Sequence, residues 1–135
     1  MDSSTAKKEK STRDSGKFGE EIAERFLVSE GYEIIARNFK TRYGEIDLIA
    51  EEKGILVFVE VKARRSEEFG MPGDKVDRNK QRRISRMAVA YVHENNIRDR
   101  DCRFDIVEIH LGEGKQVLSV NLIRDAFDIA YRPFV

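Results

Sequence analysis

The 135-residue chain has one cysteine, two histidines, no net charge and no long apolar run. Each absence excludes something. A single thiol, Cys102, forms no internal disulfide, which fits a reducing compartment, and a cytoplasmic location is expected. One cysteine and two histidines are too few soft ligands for a structural zinc site. The longest apolar run, Ile55 to Val59, is far too short to span a bilayer, so no membrane partner is expected. Met1 to Ser15 contains no apolar stretch and predicts no secretory signal. With 25 basic and 25 acidic residues, net charge gives no support to nucleic-acid binding.

What the chain does have is charge in blocks. Arg78 to Arg86 (RNKQRRISR) carries cations at Arg78, Lys80, Arg82, Arg83 and Arg86 and no anion. Segregation of this kind makes a local field even in a neutral chain. The length suits one domain with a genuine core.

Residues 1–14 lack any hydrophobic period and are expected to form a disordered polar tail, leaving residues 15–135 as a single domain. From Ser15 the apolar spacing of Phe18, Ile22 and Phe26 predicts a helix ended by Gly31. The early glycines, Gly16 and Gly19, suggest close packing or fraying there. Strands are predicted over Tyr32–Phe39, Glu45–Glu51 and Ile55–Ala63, the last two joined by a tight turn at Lys53-Gly54. A Gly- and Pro-punctuated loop, Ser66 to Gly73, precedes a helix from Asp74, the expected N-cap, to Asn95, with Ile84, Met87, Ala88 and Tyr91 as its core stripe. Strands over Arg103–Leu111 and Gln116–Ile123 follow, then a short helix or strap holding Ala126, Phe127 and Ile129. The order is α-β-β-β-α-β-β.

Three charges fall where a sheet core should be apolar. In GEIDLIAEEKGILVFVEVKAR, Asp47 lies in one strand and Glu60 and Lys62 in the next. If Lys53 and Gly54 are the turn residues, the register sets Asp47 opposite Glu60, with Cβ atoms about 4.5–5.5 Å apart. A one-residue slip would send Asp47 to the other face. Two such carboxylates repel unless a cation lies between them, and Mg²⁺ or Mn²⁺ takes one or two carboxylates plus water and phosphate oxygens. Lys62 would orient or deprotonate the attacking water, and the Val61 carbonyl is a natural further ligand. The competing reading is a partly buried salt-bridge cluster, at a desolvation cost of several kcal/mol without function.

GKFGEEIAERFLVSEGYEIIARNFKTRYGEIDLIAEEKGILVFVEVKARR, followed by the basic helix, closely resembles the YraN-like family of bacterial proteins. The resemblance implies a restriction-endonuclease-like, PD-(D/E)xK core, a mixed sheet flanked by helices, similar to Holliday-junction resolvases. It implies Asp47 as motif aspartate, Glu60 as second acid, Lys62 as motif lysine and Glu20 as the helix carboxylate that supports the metal shell. Ile46 stands where the superfamily often has proline. The function expected is metal-dependent hydrolysis of DNA or RNA, DNA before RNA, with structured or branched DNA by analogy. A non-catalytic nucleic-acid-binding module on the same scaffold is the alternative.

Around that site, Lys40, Arg42, Arg64, Arg65, Lys80, Arg82, Arg83 and Arg86 are candidate phosphate contacts, sequence-independent and salt-sensitive. Glu45 either ligates metal or pairs with Arg64. Tyr43 either stacks on a base or supports the strand entrance. Asp105 is read as an arginine's partner rather than a catalyst. His93 and His110 lack metal-ligand spacing. A homodimer would suit a two-strand cut.

Overall fold

A computed structural model describes residues 3–65 and 77–128, with side chains from Gly16 onward. The elements are α1 (Ser3–Ser29), β1 (Glu33–Thr41), β2 (Gly44–Glu52), β3 (Ile55–Arg65), α2 (Arg78–Glu94), β4 (Cys102–Leu111) and β5 (Val117–Ile123). The fold is therefore α/β in the expected order. The strands form one mixed sheet, β1-β2-β3-β4-β5. Only the β3–β4 pair is parallel, because the crossover between them carries α2.

Strand alternation divides the core into two layers. Leu56, Phe58, Phe104 and Ile106 pack with Ile84, Met87, Ala88 and Tyr91 of α2, the stripe expected for that helix. Val57, Val59, Val107 and Ile109 pack with Ala23 and Leu27 of α1 on the other side. The helices thus cover opposite faces of the sheet.

Three expectations shift. α1 contains the helix expected from Ser15 but begins at Ser3. Its deepest stripe is Gly19, Ala23 and Leu27, one residue round from the expected Phe18, Ile22 and Phe26. The reason is size: a Cβ on Gly19 would lie 2.7 Å from Ala63 Cβ, so the small residues seat the helix close to β3 while Phe18 and Ile22 flank it. α2 starts at Arg78, not Asp74, and its N-cap is Asp77, which accepts from the Lys80 N–H at 2.9 Å. From Asp77 to Arg83 the sequence has no apolar residue, so periodicity could not fix that start. Asp74 and the loop from Ser66 to Gly73 lie outside the described residues.

The joints follow local rules. After α1, Gly31 (φ 96°) takes the left-handed position and the Tyr32 N–H returns to the Leu27 carbonyl at 3.0 Å. Lys53 (φ 50°) and Gly54 (φ 81°) form the tight hairpin turn and pair Glu52 with Ile55. Beyond β5 the chain is a strap: the Ala126 N–H donates to the Phe104 carbonyl at 2.7 Å, and Phe127 stacks on Phe104 with centroids 4.7 Å apart. Ile129 lies outside the described residues. No helix among the described residues is long and apolar enough to cross a membrane.

Candidate functional site

The β2–β3 ladder runs from Glu52–Ile55 to Leu48–Val59 and stops. The next step would set Asp47 against Glu60, so the hairpin register is the expected one, but the strands part at that pair. Asp47 Oδ2 instead accepts from the Val61 N–H at 2.8 Å. β3 continues alone with β4 as far as Arg65–Leu111. On its other side β2 is also irregular. Ile46 and Ile49 face α2 whereas Leu48 and Ala50 face α1, so the alternation slips around Asp47. Between the pairs Arg37–Leu48 and Phe39–Ile46, Asn38 has a left-handed backbone (φ 53°).

The slip gathers acids from two elements. One carboxylate oxygen each from Glu20, Glu45 and Asp47 lies within 4.8 Å of the others. Glu20 arrives through the close seat of Gly19 on Ala63. Asn38, with its amide nitrogen toward the acids, donates to Glu45 Oε1 at 2.5 Å and Glu20 Oε2 at 3.3 Å. Burial, then the Glu60 charge, pushes the Asp47 carboxyl up to about 7, against the pull of the Val61 N–H. Burial, then Glu45 and Glu60, raises Glu20 as well. Oxygens bound to Mg²⁺ at about 2.1 Å stand about 3 Å apart when adjacent and about 4.2 Å when opposite, so the three carboxylates would have to draw together around an ion. Hard carboxylate oxygens are also the donor type that Mg²⁺ and Mn²⁺ take.

Glu60 is placed differently from the expectation. Its Oε1 is 2.6 Å from Lys80 Nζ, and it lies outside the group of mutually close oxygens. Glu45, read as ligand or Arg64 partner, falls in that group instead. The expected acids Asp47, Glu60 and Glu20 are nevertheless coupled, since each of the other two raises Asp47. Lys62 follows Glu60 on β3. Burial, then the Arg64 and Lys80 charges, pushes its ammonium below the ordinary lysine value. Val61 presents its N–H to Asp47, between the two motif residues.

The basic residues form a surface around this end of the sheet. Arg78, Arg82, Arg83 and Arg86 are exposed on α2, and Lys40 and Arg42 are exposed near the β1–β2 turn. Arg64 and Arg65 are half-buried at the end of β3. Arg42 and Arg86 both lie over the Tyr43 ring, at 4.9 and 5.6 Å from its centroid, joining turn and helix. Tyr43 also packs against the α2-side core, so it supports the strand entrance. His93 is exposed and His110 half-buried, and neither joins the acid group.

Asp105 is an arginine's partner, as expected. It accepts from Arg103 Nε at 2.9 Å, from the Tyr32 hydroxyl at 2.7 Å and from the Asp125 N–H at 2.9 Å. Arg103 and Arg124 also donate to Glu52, at 2.8 and 3.1 Å. This separate charged cluster went unread in the sequence apart from Asp105. Asn38 was missed too, although an asparagine inside a strand is a signal for left-handed backbone.

Residues 19–109 match the profile of the family described as uncharacterised protein family UPF0102. A UPF0102 protein of Caldicellulosiruptor saccharolyticus is 44% identical over 115 residues, covering 85% of this chain and 98% of its own. One from Symbiobacterium thermophilum is 47% identical, covering 86% and 98%. One from Desulfosudis oleivorans is 48% identical, covering 84% and 89%.

Proposed function

The chain belongs to uncharacterised protein family UPF0102, and from that premise we propose that it is a divalent-metal-dependent nuclease acting on DNA in preference to RNA. The observation that carries the reading is the group of Glu20, Glu45 and Asp47 at the parting of β2 and β3, with Asp47 pushed up to about 7. Carboxylates so placed favour a cation among them. A Mg²⁺ or Mn²⁺ ion held there would lower the pKa of a water and screen charge on the phosphate.

The chain's own residues supply the rest. The Val61 N–H fixes the Asp47 carboxylate. Lys62, its ammonium pushed down by burial, gives up a proton more readily than an ordinary lysine and suits the role of base for the attacking water. The exposed arginines of α2 suit backbone phosphates and carry no sequence preference. Branched DNA remains the substrate by analogy alone, and cutting both strands would use two copies.

The test is cleavage of linear and four-way-junction DNA with Mg²⁺ or Mn²⁺. Asp47→Asn is expected to reduce cleavage to background and Lys62→Met by about a hundredfold, while fluorescence anisotropy shows DNA still bound. A second reading, a binding module without chemistry, draws on the Glu60–Lys80 pair, which neutralises one motif acid. It predicts salt-sensitive binding and no cleavage by the wild type with either metal, which would sink the nuclease reading.

A further inference from the structure

We infer that Lys80 couples nucleic-acid binding to metal binding: its ammonium holds the Glu60 carboxylate apart from Glu20, Glu45 and Asp47 until a phosphate takes it over. This rests on the nuclease reading and adds a regulation of the same site.

The Lys80–Glu60 separation of 2.6 Å is that of a charge-assisted hydrogen bond. A carboxylate engaged with an ammonium is a poorer metal ligand than a bare one. The two partners differ in access: the Lys80 side chain is 37% exposed and that of Glu60 only 14%. A phosphate arriving from solvent therefore meets the lysine first. Lys80 also sits among the exposed Arg78, Arg82 and Arg83, where a nucleic-acid backbone would be held. Its backbone is fixed, because Asp77 caps its N–H, so the exchange involves side chains only.

Glu60 is poised for the change. The β2–β3 ladder ends before it, and Asp47 already feels its charge. Once the ammonium turns to a phosphate, Glu60 can turn toward Asp47, whose carboxyl already feels its charge, and offer an ion a further carboxylate. Coupling of this kind is reciprocal: metal must raise affinity for nucleic acid by the same factor that nucleic acid raises affinity for metal.

The experiment is calorimetric titration of Mn²⁺ into the metal-free full-length protein, alone and saturated with a phosphorothioate 20-mer that resists hydrolysis. The heat of Mn²⁺ binding to the oligonucleotide is subtracted. For the wild type the Mn²⁺ Kd is expected to fall about tenfold when the oligonucleotide is bound. Lys80→Met should bind Mn²⁺ about tenfold tighter without oligonucleotide and gain little on adding it. Lys80→Arg should restore the coupling. Lys115→Met, which removes a cation beside Phe18 instead, should change the Kd by less than about twofold. Wild-type coupling in Lys80→Met, or a Lys80→Met that binds Mn²⁺ no tighter than the wild type, overturns the inference. Mn²⁺ binding without coupling removes the inference alone, whereas no Mn²⁺ binding by any variant removes the nuclease reading and the inference with it.

Discussion

The two ends of β2 both bring acids into the sheet, and they leave them in opposite electrostatic states. At one end Glu52 is 7% exposed and Asp105 on β4 only 1%. Both of these acids are answered from within the chain. Burial alone would raise Glu52, but Arg103 and Arg124 hold it below the ordinary carboxyl value. Burial and the Asp105 carboxylate push Tyr32 up to about 12, so its hydroxyl stays a donor. About 17 Å along the strand, Glu20, Glu45 and Asp47 face one another, and Asp47 is raised rather than lowered. There the Val61 N–H and the Asn38 amide, which carry no charge, reach these acids. The first cluster is complete as folded. The second, on the proposed reading, is completed by a cation from outside.

The strongest way to break that contrast is to remove an acid from each end. Asp105→Asn leaves Arg103 with only Glu52 of its two counter-charges in a buried setting, at an expected cost of about 3–5 kcal/mol, measured by urea unfolding. Asp47→Asn should do the reverse in metal-free buffer at pH 8, gaining about 1–3 kcal/mol, because a buried, repelled charge is removed while the Val61 N–H keeps an acceptor. Mg²⁺ should then raise the Tm of the wild type and leave that of the variant unchanged. A loss of stability in Asp47→Asn equal to that in Asp105→Asn would make both clusters merely structural.

The same contrast has a pH signature. Asp47 has a folded value near 7, above its ordinary 3.8. Its stabilising contribution is present below about pH 4 and is lost as pH rises through about 7. Glu52 has a lowered folded value, so its contribution is present above the ordinary value of 4.5 and is lost as pH falls through the folded one. Metal-free wild type should therefore weaken toward both ends, and Asp47→Asn should lessen only the decline above pH 4, the rest of which belongs to Glu20, raised in the same way. Chemical denaturation at pH 2.5, 3.5, 5.5, 7 and 8 reads both limbs.

Of the second cluster the residues themselves singled out Asp47, and of the first only Asp105, for a physical reason. Asp47, Glu60 and Lys62 interrupt strands that are otherwise apolar, and the Lys53-Gly54 turn fixes their register within one hairpin. Tyr32, Glu52, Arg103 and Arg124 come from four separate places in the chain. Each lies at an element's edge, where a polar residue is unremarked, and only the sheet order brings them together. The same limit applies inside the site. Glu20 needed the resemblance, and the pairing of Glu60 with Lys80 depends on how α2 crosses the sheet. The parting of β2 and β3 at Asp47 follows from the slipped alternation near Asn38, which hairpin counting alone does not foresee.

A smaller effect tests how α1 serves both clusters, since it carries Glu20 at one end of the sheet and leads into Tyr32 at the other. Gly19→Ala would gain about 1 kcal/mol of helix propensity but bring its Cβ to 2.7 Å from that of Ala63. Overpacking of this kind costs about 1–3 kcal/mol, so a net loss near 1 kcal/mol is expected. Ala63→Gly in the same chain should recover most of it. The double variant should also restore Mn²⁺ affinity if the loss came from displacing Glu20.

The smallest expected change in stability separates two uses of arginine. Arg103 and Arg124 are consumed by acids of the chain, whereas Arg82 and Arg83 are exposed on α2. Replacing Arg82 or Arg83 with Ala should alter folding stability by no more than about 0.5 kcal/mol. It should instead change DNA binding through the electrolyte. Removing one cation from a phosphate lowers the slope of log K against log salt by about 0.9 for duplex DNA. Anisotropy titrations at several salt concentrations measure that slope directly. An Arg83→Ala slope equal to the wild type's would take this helix face out of the phosphate track, and with it the argument that a neutral chain binds DNA by segregating its charge.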